Sequence, residues 1–141
     1  MFRGVEIRWT AVPKILKADD KTPERATLHC PGGIGDYLTS LLKDRKSITQ
    51  VPFAGDANFP DSAGRVEWAV AWPVDEDALF NSYCNTVPNP LGGTHELGLR
   101  GALTKGLRAY GELSKNKTAA KLQEEAVDGC ADIMLSVCIR Y

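Results

Sequence analysis

Apolar residues fall into two rhythms along the chain. Val5, Ile7 and Trp9 alternate with Glu6, Arg8 and Thr10, the two-residue period of a strand with one covered face. VPKILKADDKTPERA follows; it is polar, holds two prolines and reads as a loop. TLHC (27–30) is a short strand ended by Pro31. After Gly32 and Gly33 the period changes. Ile34, Tyr37, Leu38, Leu41 and Leu42 stand three and four apart, which predicts an amphipathic helix.

PFAGDANFPDSAG (52–64) is rich in proline, glycine and short polar residues, so it reads as a loop, with a domain boundary around 46–54. In VEWAVAW, Val66, Trp68, Val70 and Trp72 share one strand face. PVDEDA turns the chain, with Asp75, Glu76 and Asp77 as a solvated tip. LFNSYCNTV (79–87) then reads as a second strand, antiparallel to the first. Near the end, AAKLQEEAVDGCA predicts a short helix. DIMLSVCIR predicts a last strand with Ile133, Leu135, Val137 and Ile139 on one face. The class is α+β: a strand-and-helix piece, then a three-stranded antiparallel sheet with two helices over residues 52–141.

Composition narrows this little. The 141 residues are 43% hydrophobic and 25% charged with a formal net charge of −1, as in an ordinary globular chain, so any nucleic-acid contact must come from local patterning. No run approaches the roughly 18 apolar residues of a membrane span, and the N-terminus lacks the apolar centre of a signal peptide. The expected compartment is the cytoplasm, with no membrane contact. Cys30, Cys84, Cys130 and Cys138 form no C-x-x-C pair and read as buried thiols, so no metal site is expected.

NPLGGTHELGLRGALTKGLRAYGEL (89–113) is the unusual stretch. Thr94 is the expected N-cap after Gly92 and Gly93, and four more glycines follow, each costing a helix interior roughly 1 kcal/mol relative to alanine. On a helical wheel Leu99, Ala102, Leu103, Gly106, Leu107, Tyr110 and Leu113 fall within an arc of about 140°. Arg100, Lys105 and Arg108 fall opposite. The basic side reads either as a solvated face or as one offered to phosphates. Gly106 would allow close approach to the sheet, and Gly101 an unobstructed approach from the basic side. CPGGIGD could cradle a phosphate at a helix N-terminus but reads better as a structural turn.

GGTHELGLRGALTKGLRAY resembles the G-G-T-H-x-x-G-[FL]-[RK]-x-A-[LM]-T-R motif of the ATPase half of bacterial type II DNA topoisomerases, the family of the B subunits of gyrase and topoisomerase IV. The L-R form and SYCNTVPNPLGGTHE lean towards the topoisomerase IV type. TLHCPGGIGDYLTSLL, RVEWAVAWP and EEAVDGCADIMLSVCIR resemble further family segments in the same order. The resemblance implies a fragment: residues 1–46 as the C-terminal edge of a GHKL-type ATP-binding domain, and 52–141 as the first part of a transducer domain with a ribosomal-protein-like fold.

In the family, two such chains form an ATP-driven clamp, work with the A subunit, and pass DNA through DNA. The resemblance implies that Arg100, Lys105 and Arg108 face DNA, and that Gly92, Gly93, Thr94 and His95 form a structural motif. Lysine at 105 keeps the charge of the usual arginine but loses its planar fork. The family's ATP and magnesium contacts lie in segments this chain does not contain. No catalytic residue is therefore expected here, and the fragment alone is expected to be inactive. The alternatives are a free-standing nucleic-acid-binding module of the same fold and a structural, partner-binding domain.

Overall fold

A computed structural model describes residues 4–12, 14–16, 22–43, 45–74 and 78–140. The acidic tip at 75–77 lies outside them. Strand β1 (Glu6–Thr10) pairs antiparallel with β2 (Arg25–His29), Ile7 opposite Leu28. This ribbon keeps Ile7, Trp9 and Leu28 about half exposed. Helix α1 (Ile34–Leu42) follows.

Five further strands form one sheet: β3 (Phe53–Asn58), β4 (Gly64–Ala71), β5 (Phe80–Cys84), β6 (Val87–Pro88) and β7 (Asp132–Ile139). Their order is β3-β4-β7-β5-β6. Between β6 and β7 the chain forms α2 (Thr94–Leu113), a 3-10 turn at Ala119–Lys121, and α3 (Glu124–Asp128).

Three expectations are corrected. First, β5 does not pair with β4. The last strand, β7, lies between them, antiparallel to β4 and parallel to β5. Six consecutive residues of β7 are buried, so both its faces need cover, and the centre of a sheet supplies that. A parallel pair needs a long crossover, here the whole path through α2 and α3.

Second, residues 53–58 are a strand and not a loop. β3 is an edge strand with mostly exposed residues, where a polar composition is tolerated. Gly55 has a packing reason: a Cβ there would lie 2.6 Å from the Trp68 ring. The preceding segment is knitted to the sheet, since Ile48 N–H donates to Trp72 O at 2.7 Å and Val74 N–H to Lys46 O at 2.8 Å.

Third, the predicted second helix is divided. Leu122 is extended (φ −56°, ψ 136°) and separates the 3-10 turn from α3.

The strand alternation divides the sheet into two faces. Ala69 and Ala71 of β4 and Met134 of β7 pack under Ile34, Leu38 and Leu42 of α1. On the other face, Val66 stands opposite Val137, Trp68 opposite Leu135 and Val70 opposite Ile133. There Val70 and Ile133 pack with Leu103 of α2, Val127 and Ala131.

Carboxylates hold α1 at both ends. Ile34 N–H donates to Glu67 Oε1 at 3.2 Å, so a buried β4 side chain satisfies one of the orphan amides of the first turn. Beyond the other end, Arg45 Nη1 donates to Asp132 Oδ2 at 2.6 Å while Leu79 N–H donates to Asp132 Oδ1 at 2.8 Å. Asp132 is only 1% exposed. Between the β1–β2 ribbon and the sheet lies a gap of about 470 Å³ lined by Ile7, Leu28, Ile34, Tyr37 and Tyr83. Burial, and then the neighbouring Tyr37 phenol, push the Tyr83 hydroxyl above its ordinary value.

Candidate functional site

The site is built around α2. The hairpin from β5 to β6 turns through Asn85 and Thr86, both at positive φ, as a tight two-residue connection requires. The chain then turns again at Asn89–Gly92. Asn89 Nδ2 donates to Gly92 O at 2.9 Å, and Gly92 sits at φ +69°, a conformation that favours glycine.

Gly93, not Thr94, is the N-cap, and no side chain caps the helix; Thr94 is already its first helical residue. The anchoring falls to Glu96, one turn in. Ser82 Oγ donates to Glu96 Oε1 at 2.5 Å, which ties the start of α2 to the one buried residue of β5. His95 is half-buried with its Nε2 unpartnered.

The three basic residues are not equivalent. The Arg100 guanidinium lies 4.6 Å from the Phe80 ring centroid and 4.0 Å from Glu96 Oε2. Arg108 Nε donates to Leu122 O at 2.5 Å, and its Nη2 lies 3.5 Å from Gln123 Oε1. Both side chains are half-buried, while Lys105 is exposed. The basic side of the wheel is therefore partly occupied, because the 3-10 turn and α3 lie along it. At Gly101 an added Cβ would lie 3.9 Å from Glu124 Oε1, an ordinary contact distance. The tightly packed glycine is Gly111, where a Cβ would stand 2.5 Å from Ala120 N.

The apolar arc differs from expectation in the opposite sense. Leu103 is buried, but Tyr110 and Leu113 stand in solvent at 69% and 84% exposure. Leu99, Ala102, Gly106 and Leu107 form one wall of an open groove of about 660 Å³. Trp68, Trp72, Leu135 and Val137 form the sheet wall, with Phe53 and Phe59 at one side. A Cβ at Gly106 would meet nothing within 4 Å, so this glycine makes no close contact with the sheet. The two tryptophans belong to the groove and not to a stacking surface; Trp68 also tilts against Phe53, with centroids 6.4 Å apart.

The glycine turn before α1 is no phosphate cradle. Gly32 N–H donates to Asp36 Oδ2 at 2.7 Å and Ile34 N–H to Glu67, so carboxylates already occupy two of its amides. No step through ATP or magnesium is assigned to this turn. The cysteines are free; Cys130 and Cys138 are exposed and Cys30 and Cys84 half-buried, not the fully buried thiols expected.

Sequence reasoning missed Glu67, Asp132 and Ser82. The available signal was polarity where an apolar strand turns its other face to a helix: Glu67 between Val66 and Trp68, and Asp132 at the head of the most apolar strand.

The family model of DNA gyrase B matches residues 33–140, and the chain belongs to that family of type II topoisomerase B subunits. Among its relatives are the B subunit of DNA topoisomerase 4 from Caulobacter vibrioides, 43% identical over 144 residues, and its counterpart from Bartonella bacilliformis, 43% identical over 140. Each match covers 99% of this chain and 20% of the relative, so the chain spans about one fifth of their length.

Solved structures agree. The topoisomerase IV ATP binding domain of Francisella tularensis superposes with TM-score 0.65 at 26% identity over 97% of this chain and 34% of that one. The 43K ATPase domain of Thermus thermophilus gyrase B superposes with TM-score 0.74 over 99% of this chain and 36% of that one; at 17% identity it bears on the fold alone. Among the described residues, no helix is long and apolar enough to cross a membrane.

Proposed function

We propose that this chain is a piece of the B subunit of an ATP-dependent type II DNA topoisomerase, of the topoisomerase IV kind, working in the cytoplasm. Residues 1–46 belong to the edge of the ATP-binding domain and residues 52–141 to the first part of the transducer. The observation that carries the reading is the family match over 33–140, which spans α1, the sheet and α2 together. The piece holds no complete active site. Its part is to relay nucleotide state and to line the space that admits DNA.

The relay has a physical basis in α1. Glu67 holds the first turn of α1 to β4, Asp132 holds Arg45 beyond its last turn to β7, and Leu38 packs on the sheet between, so α1 moves with the sheet. Displacement of the preceding ribbon then reaches α2 through β5 and the Ser82–Glu96 hydrogen bond. ATP and magnesium act in the parent protein on residues outside this piece. A second copy of the parent protein, the A subunit and DNA are its partners.

Lys105 is the residue to test at the DNA face, since Arg100 and Arg108 already contact Phe80 and Leu122. In the full-length protein with its A partner, Lys105→Glu should reduce the slope of log affinity for duplex DNA against log salt by about 1. DNA-stimulated ATP hydrolysis should fall with it. An unchanged slope together with unchanged stimulation would remove DNA-cavity lining from the reading.

A further inference from the structure

Glu96 does more than anchor α2. Phe80 and Ser82 stand two apart on β5, so both point to the α2 side of the sheet, beside Ile133 and Leu135 of β7. Glu96 and Arg100 stand one turn apart on α2 and reach them. Four side chains thus meet. Ser82 Oγ donates to Glu96 Oε1, Glu96 Oε2 lies 4.0 Å from Arg100 Nη2, and the Arg100 guanidinium lies 4.6 Å from the Phe80 ring centroid. The glycine turn leaves room for the carboxylate, since a Cβ at Gly92 would stand 3.1 Å from Glu96 Oε2. The turn is also tied to Ser82 itself: Asn89 N–H donates to Ser82 O at 2.8 Å, and Ser82 Oγ lies 3.3 Å from Asn89 O.

The hydrogen bond from Ser82 needs only an oxygen at position 96, and a glutamine would supply one. The negative charge has a different object. The Glu96 side chain is 14% exposed, so its carboxylate is poorly hydrated and gains from a cation, and the cation beside it is Arg100. Arg100 itself keeps 28% of its side-chain surface exposed. A ring on one side and a carboxylate on another fix the plane of the guanidinium. An arginine held in this way loses little further entropy when it meets an oxyanion.

We propose that Glu96 is a positioning residue: held by Ser82, it sets the Arg100 guanidinium on the Phe80 ring in the orientation that receives a DNA phosphate. The same hydrogen bond makes the placement of Arg100 follow β5. This rests on the reading of α2 as the DNA side of a topoisomerase piece.

The test measures DNA stimulation of ATP hydrolysis by the full-length protein with its A partner, as the duplex concentration that gives half the maximal stimulation. Glu96→Gln keeps an acceptor for Ser82 and removes the charge. Loss of a negative charge near DNA would by itself strengthen the attraction for phosphates and lower that concentration. Loss of positioning acts in the opposite sense, and Glu96→Gln should raise it about threefold. Ser82→Ala leaves every charge in place and should also raise it. In an Arg100→Gln background, Glu96→Gln should change nothing further, because its effect passes through the arginine.

An unchanged or lowered concentration for Glu96→Gln would overturn the proposal, and so would effects of Glu96→Gln and Arg100→Gln that multiply. If Glu96→Gln does not assemble with the A partner, Ser82→Ala decides, and no change there overturns the proposal. The two readings fail separately. No effect at Glu96, with losses for Arg100→Gln and Lys105→Glu, removes the positioning role and leaves the DNA face standing. No effect at either Arg100 or Lys105 removes the DNA face, and the positioning role with it.

Discussion

The two faces of the five-stranded sheet show opposite solutions to covering apolar strands. Under α1, Leu38, Met134, Ala69 and Ala71 are at most 1% exposed, and carboxylates of β4 and β7 hold the helix ends. Under α2 the sheet presents larger side chains: Leu135 is 1% exposed, while Trp68 and Trp72 are half-buried along an open groove. Small alanines let α1 lie directly on its face, whereas on the other face Leu103 of α2 reaches Val70 and Ile133 beside two half-buried tryptophans. The closed face owes its stability to contacts within this piece. The open face leaves a groove between α2 and the sheet.

Substitution of Leu38, 0% exposed at the middle of α1, should break the comparison most strongly. Leu38→Ala removes buried methyl groups at the centre of a closed core and should destabilise the folded chain by about 3 kcal/mol in urea unfolding. The matching change on the open face, Leu107→Ala, should cost about 1 kcal/mol or less, because that side chain already borders the groove. Equal losses would mean that the groove is closed in solution.

Asp132→Ala tests the polar side of the same difference. Asp132 accepts from both Arg45 and Leu79 N–H while 1% exposed. Removing it strands a backbone donor, at a cost of about 2 kcal/mol in the same assay. Arg45→Ala should cost less, since Asp132 keeps the Leu79 amide and the arginine side chain is 27% exposed. A larger loss for Arg45→Ala than for Asp132→Ala would reverse that assignment.

How much of this was legible in the sequence follows the same division. β4 is legible from alternation, because Glu67, Ala69 and Ala71 mark the period, and β7 from its apolar run at the end of the chain. The helix at 94–113 is legible from its wheel, despite its glycines. β3 is not, because an edge strand needs no hydrophobic pattern when its partner supplies the burial. The strand order is not legible either. Turn signals favour pairing β5 with its predecessor, whereas the burial demand of β7 on both faces is a property of the whole sheet. At the site, the positions of Arg100, Lys105 and Arg108 on one side of α2 are legible, but their surroundings are not. The 3-10 turn and α3 come to lie beside Arg100 and Arg108 through contacts far along the chain, and no local pattern announces them.

The glycines of α2 give the smallest predicted effects and the sharpest test, because the sign should change along one helix. At Gly111 a new methyl group would lie 2.5 Å from Ala120 N and 2.8 Å from the Ala119 Cβ, so the 3-10 turn must move. Gly111→Ala should therefore destabilise by about 1 to 2 kcal/mol despite alanine's better helix propensity. At Gly106 the same methyl group meets nothing within 4 Å. There propensity acts alone, and Gly106→Ala should stabilise the 141-residue chain by about 0.5 to 1 kcal/mol in urea unfolding. A loss at Gly106 as large as that at Gly111 would show that the two positions do not differ in packing, and that helix propensity does not decide the sign along α2.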